Sequence, residues 1–278
     1  MTVTNQAARA EARPTASGGG VRARRDLTRL WQLLTFVIAI GVWWAVCKIG
    51  FVSSEALPTP GSVLHSIIDV AQTSKFWTAV GQTMRGAVLG LIIAAVIGVP
   101  LGLITGTYAA AEISTRLLVD VLRSFPVIAL LPVFLLVMGT KAATEITVVF
   151  IACVFPIFLQ AQYGARGIDA TISETVESYR IPKLLRFRKV VLPNATPSVM
   201  TGMRLAATTS VLVALGVEIL TTLPGMGHAI VQGQQNGSAP VAFAYIFTAG
   251  AIGYLINKGS ELLEGRLLRW RPPASASA

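Results

Sequence analysis

The chain has 278 residues and a net charge of +10, with 53% hydrophobic and 13% charged residues. An ordinary soluble domain is about a quarter charged, so the composition excludes a soluble globular protein and points to a membrane one. The two cysteines, Cys47 and Cys153, each lie inside an apolar run. They exclude a disulfide framework and a cysteine metal site, and read as small packing residues.

Residues 1–28 are small, polar and Arg-bearing, and read as a disordered basic tail. They do not have the shape of a secretory signal, because the apolar run that follows begins too late and is too long. Six apolar runs approach the roughly 20 residues that a helix needs to cross the hydrocarbon core. The first, 30–49, carries Trp31 near one end and Trp43 and Trp44 toward the other, which suits a half-wet interface. Pro58 and Pro60 then set a rigid turn, and 62–70 has the helical spacing of a short surface helix. His65 within it reads as a wet surface residue.

The second span, 86–106, carries Gly86, Gly90, Gly98, Gly102 and Gly106. Their four-residue spacing puts glycines on one face, where another helix can approach closely. The third, 119–139, is interrupted by Pro126 and Pro132, and the fourth, 146–165, contains Pro156, Gln160 and Gln162. Proline in a span frees backbone carbonyls, which is tolerated only against protein or a water-filled cavity. The fifth is 199–220, with Arg204 and Glu218 inside it, and the sixth is 241–256. Ionisable residues within a span are functional suspects by default. A rise of about 1.5 Å per residue separates Arg204 from Glu218 by about 21 Å, too far to pair. Arg204 reads as snorkelling to the inner interface. Glu218 falls near the outer mouth, in a packing hydrogen bond or a gate, and is followed by the Gly225 and Gly227 turn.

Between the fourth and fifth spans lies a polar stretch, 169–197, DATISETVESYRIPKLLRFRKVVLPNATP. Five basic residues fall between Arg180 and Lys189, and Asp169, Glu174 and Glu177 precede them. A helix over about 172–179 places Glu174, Glu177 and Ser178 on one face. Pro182 suits the first position of a second helix, over about 182–191 and ending at Pro193. With the N-terminus inside, the inner segments hold 18 of the 23 basic residues and the outer ones four, Lys48, Lys75, Arg85 and Lys141. That asymmetry predicts both termini inside, and spreads the charge over a membrane rim rather than a nucleic-acid groove. The fold class expected is therefore all-α and membrane-integral, with six spans and no nucleic-acid partner.

The fragment ESYRIPKLLRFRKVVLPNATPSVMTGMRLA resembles the signature loop of binding-protein-dependent ABC transporter permeases. LPTP at 57–60, GVPLGL at 98–103, SFPVIALLPVFLLVMG at 124–139, FPIFL at 155–159 and the closing LLRWR are similar to the nitrate/sulfonate/taurine-type subfamily. The resemblance covers about 28–271. It implies a permease domain over 29–271, with a coupling helix in the 169–197 loop that sits in a cleft of an ATPase subunit, and a flexible tail over 272–278. The contact residues it implies are Glu174, Thr175, Val176, Glu177, Arg180, Pro182, Phe187, Leu192 and Pro193. Thr175 and Val176 replace the family's two alanines, and Arg180 replaces its glycine. Candidates for the path or gate are Pro126, Pro132, Gln160, Glu218, Gly225 and Gly227. The resemblance also implies a second permease chain, identical or not, an extracytoplasmic binding protein, alternating access, and a place in the bacterial cell membrane. ATP belongs to the partner subunit, because this chain has no phosphate loop ending in Gly-Lys-Ser/Thr and no cofactor signature. The two histidines, His65 and His228, have no ligand or triad partner at useful spacing, which speaks against an enzyme. An ion-coupled secondary transporter would show an inverted repeat and mid-membrane acids, and neither is evident. A non-transporting scaffold is the remaining alternative.

Overall fold

The computed structural model describes residues 19–50, 53 and 56–268. The chain divides into two compact units, residues 1–60 and 61–278. In the first unit, α1 (Gly19–Ile49) begins well ahead of the apolar run. Residues 19–28 are thus helical rather than part of a disordered tail, and the tail before them lies outside the described residues. The stretch from Leu30 to Ile49 is long and apolar enough to cross a membrane. Cys47 Sγ faces the carbonyls of Leu57 and Pro58 at 3.8 and 3.7 Å, a packing role.

The second unit opens with α2 (Pro60–Ala71), the expected short helix, anchored by buried Val63. α3 (Ser74–Thr107) follows after Thr73, whose hydroxyl accepts from the Phe76 amide at 3.3 Å. That cap starts the helix 12 residues before the expected span, since helical packing continues along its polar first turns through buried Phe76, Ala79 and Thr83. The third span departs most from expectation. α4 (Ala109–Ser124) ends at extended Phe125, a four-residue 3₁₀ turn covers Val127–Leu130, and α5 (Leu131–Met138) leaves at a bend of 78°. Pro126 is the breaker: a residue before proline is pushed out of the helical region, and Phe125 sits at φ −76°, ψ 129°. Pro132 breaks nothing, because it lies in the first turn of α5, where no N–H is needed. By length and composition the described helices offer five spans, or six if this bent pair counts as one.

α6 (Ala142–Arg166) packs along α3 and along α9 (Leu192–Leu220). The glycine face does what its spacing implies, and the partner is α6. A Cβ at Gly90 would meet Val149, at Gly98 Ile157, at Gly102 the Phe158 carbonyl and Ala161, and at Gly106 Gln162 and Ala165. Gly164 on α6 accepts the backbone of Ala195 in the same way, and Gly202 on α9 lies under Gln160. Cys153, wholly buried, points its Sγ at the Ala206 carbonyl, 3.3 Å away. α10 (Met226–Gln235) and α11 (Ala239–Leu267) close the unit against α9. α11 extends past the expected span to include Arg266, while Arg269 and Arg271 lie outside the described residues. Among the described residues there is no strand.

Candidate functional site

The polar stretch folds as α7 (Ala170–Ser178), a tight turn and α8 (Lys183–Arg186). Asp169 caps α7: its Oδ1 accepts from the Thr171 amide at 2.8 Å, as N-cap carboxylates do. That hydrogen bond holds the Asp169 carboxyl below the usual carboxylate range. The far end closes in a Schellman motif. The Ile181 amide donates to the Val176 carbonyl at 3.1 Å and the Arg180 amide to Glu177 at 3.0 Å, the two bonds that define that ending. The motif demands a left-handed residue after the cap, and Arg180 supplies it at φ 49°. This is the position where the resembled family carries glycine.

Pro182 stands just before α8 at ψ 141°, as its cap rather than its first helical residue. The expected stop at Pro193 does not occur. α8 runs through a π-turn, Phe187–Val191, straight into α9. Pro193 has no N–H to give the carbonyl four residues back, and its ring crowds that carbonyl. Widening to i→i+5 bonds is one way a helix absorbs such a defect, and here the Leu192 amide donates to Phe187. Lys183 to Leu220 is thus one 38-residue helical run.

The expected contact residues divide between surface and core. Glu174, Thr175, Glu177, Arg180, Pro182 and Leu192 are exposed. Tyr179, just after α7, and Leu184, in α8, are the most exposed large apolar side chains of this stretch, at 79% and 70%. Val176 is buried, and half-buried Phe187 packs on the small core of Leu103, Ala161, Ala165, Val191 and Ala195. Val176 thus turns inward from α7, while Phe187 shares its surface between this core and the outside. Pro193 is half-buried in the first turn of α9. Arg186 Nη2 lies 3.4 Å from Ser173 Oγ, tying α8 to α7, and Asn194 Nδ2 donates to the Gly164 carbonyl at 3.0 Å. Glu112 of α4 and Arg166 at the end of α6 form an ion pair at the same level.

Of the path candidates, Pro126 and Pro132 lie exposed at the α4–α5 break, and Gln160 packs over Gly202. Gly225 borders a cleft of about 280 Å³ lined also by Lys75, Gln82, His228 and Gln232. His228 and Gln232 are hydrogen-bonded at 3.0 Å. A larger apolar cleft of about 710 Å³ runs between α9 and α11, lined by Val211, Leu215, Ile246, Gly250 and Tyr254 among others. Arg204 does not snorkel alone: its Nη1 meets Glu264 Oε2 of α11 at 3.4 Å. Glu218 is wholly buried and hydrogen-bonded to Thr83 Oγ1 and the Gly227 amide. Thr83 and Glu145, both buried, carry no signal of their own in the sequence. An acid four residues past Lys141 looks like a span end, and only the long α3 brings Gly86 against it. Among the described residues no three His, Cys, Asp or Glu side chains converge as a metal site.

The loop, the glycine-lined pair of long helices and the broken third span are features of a transporter's membrane subunit. Residues 98–269 match the family described as binding-protein-dependent transport system inner membrane component, and the chain belongs to that family. It is a permease subunit of an ABC importer, a multi-pass protein of the bacterial inner membrane, and in this family ATP is hydrolysed on a separate subunit. It is 26% identical over 261 residues, 93% of this chain and 95% of the relative, to a Bacillus subtilis (strain 168) protein named as an aliphatic sulfonates transport permease, SsuC. The taurine transport system permease protein TauC of Escherichia coli (strain K12) is 22% identical, over 85% of this chain and 88% of its own. The nitrate import permease protein NrtB of Leptolyngbya laminosa is 25% identical, over 90% and 91%. In fold it is similar to a chain of the MetNI methionine ABC transporter in inward-facing conformations, with a TM-score of 0.61 at 20% identity, covering 68% of this chain and 94% of that one.

Proposed function

We propose that this chain forms half of the path of an importer for a small organic or inorganic anion of the sulfonate, taurine or nitrate kind. An extracytoplasmic binding protein delivers the solute. A second permease chain completes the path, and both termini lie in the cytoplasm. The α7–α8 knuckle docks on the ATPase subunit through Glu174, Thr175, Glu177 and Arg180, with exposed Tyr179 and Leu184 adding apolar surface. One observation carries the reading: an exposed knuckle is joined without a break to α9, the helix that reaches the opposite end of the unit. A push on the knuckle is thereby delivered to the whole span, which is the differential contact that coupling between two sites requires. The relatives' names support the anion class.

Affinity purification of the tagged chain from native membranes in mild detergent, with partners identified by mass spectrometry, tests the assembly. An ATPase subunit in about equal amount is the expected result, and the chain alone would refute it. Charge reversal at Glu174, Glu177 and Arg180 together should leave the chain in the membrane and abolish solute-stimulated ATP hydrolysis. Unaltered uptake in that variant would remove the knuckle from the coupling.

A further inference from the structure

Two carboxylates are sealed inside this unit at the end opposite the α7–α8 knuckle. Glu218, near the end of α9, is 0% exposed, and Glu145, in the first turn of α6, is 5% exposed. Both abut one turn of α3. Glu218 Oε2 accepts from Thr83 Oγ1 at 2.9 Å, and Glu145 lies in the space a side chain at Gly86 would fill. Thr83 and Gly86 are three residues apart, about 4.5 Å of helix rise. The turn before α10 closes the node. The Gly227 amide donates to Glu218 Oε2 at 2.8 Å, the Met226 amide donates to Thr83 Oγ1 at 2.9 Å, and Glu218 also fills the side-chain space of Gly225.

Oε1 of Glu145 and Oε1 of Glu218 are buried and have no hydrogen-bond partner. No cation answers them: among the described residues, every ion pair involves other acids. The charged groups on the surrounding elements face elsewhere. Lys75 and Arg85 of α3 and Lys141 before α6 are exposed, His228 of α10 is half-buried against Gln232, and Arg204 of α9 is taken by Glu264 of α11. Tyr245 of α11 packs in the neighbouring apolar core, and α5 carries no charged residue. Two buried negative charges without a counter-ion are far too costly to keep. The glycine cradles are filled by the carboxylates themselves, and among the described residues no third His, Cys, Asp or Glu joins them to hold a metal ion.

We propose that Glu145 and Glu218 together bind one proton, and that this proton fastens α6 and the 224–227 turn to α3. Two buried carboxyl groups set against one turn of α3 with no counter-ion cannot both stay ionised, and here the loss of the proton would place like charges on α6 and α9 and push the node apart. The proposal is independent of which solute is carried.

Dicyclohexylcarbodiimide, which attacks protonated carboxyl groups in apolar surroundings, is the probe. The intact complex is treated in its native membranes and the adducts are located by peptide mass spectrometry. The expected result is an adduct on Glu145 or Glu218 that fades as pH rises, identically in sodium and potassium salts. Removing the like charge should lower the midpoint of whichever carboxyl ionises last, Glu145 in E218Q or Glu218 in E145Q. Protection by sodium would overturn the proton in favour of a metal ion, and no adduct at any pH would overturn the site. The pH and salt arms need no variant, so they stand even if E145Q fails to assemble.

Discussion

Arg180 occupies a backbone conformation that suits glycine. A non-glycine residue in the left-handed region costs roughly 1–2 kcal/mol, and the Schellman bonds at Val176 and Glu177 hold it there. Arg180→Gly should therefore stabilise the end of α7 by about 1 kcal/mol, read as slower amide exchange at Arg180 and Ile181. If the guanidinium also touches the ATPase, the same variant will lose coupling while gaining local stability, and the two readouts separate the roles. Arg204 presents a different case. Its pair with Glu264 is half-exposed on both sides. A double-mutant cycle with Arg204→Ala and Glu264→Gln should give a coupling of about 0.5–1 kcal/mol in detergent-resistance or thermal-unfolding measurements. Neither feature was fully legible in the chain. The glycine replacement was visible, but its backbone cost was not. Glu264 is 60 residues from Arg204, and no spacing rule connects them.

At the scale of elements, the α3–α6 contact is the part that could be read in advance. Four-residue glycine spacing on an apolar run says that a helix comes close, and it does, with the Phe158 carbonyl against Gly102. Gly102→Val should push α3 off α6 and cost on the order of 1–3 kcal/mol or more, seen as a lower unfolding temperature in detergent, whereas a valine at Gly250, which has nothing within 4 Å, should leave the monomer unaffected. Proline was harder to read than glycine. Pro126 and Pro132 look alike as interruptions, yet one breaks the chain by 78° and the other opens a helix. Pro193 looks like a stop and is absorbed by a π-turn. The difference lies in whether tertiary packing holds both flanks: Val191 and Ala195, on either side of Pro193, are both fully buried, so the helix continues through the defect.

For the whole molecule, the family and the number of apolar runs were legible because both rest on local pattern: loop residues in order, and runs long enough to span a bilayer. The buried acid pair was not. Glu145 and Glu218 are 73 positions apart, and only the packing of four helices brings them to one turn of α3. The beginning of α3 at Ser74 rather than near Gly86 is what supplies Thr83 to that node. A span defined by hydropathy alone omits those polar turns, and with them the hydrogen-bonded end of the unit.

The unbroken run from Lys183 to Leu220 has a mechanical consequence. At 1.5 Å per residue it is a rod of about 57 Å, nearly twice the hydrocarbon thickness. Gly202, pressed against Gln160 and the Pro156 carbonyl of α6, lies near its middle and makes a natural fulcrum. From there the arms to Lys183 and to Glu218 are about 28 and 24 Å, so a tilt of about 10° swings the ends in opposite directions by roughly 4–5 Å. A hydrogen bond tolerates a few tenths of an ångström. The rod therefore cannot rock at the knuckle without either carrying α3 along or unlatching Glu218 from Thr83, and the far latch keeps count of every stroke at the near end.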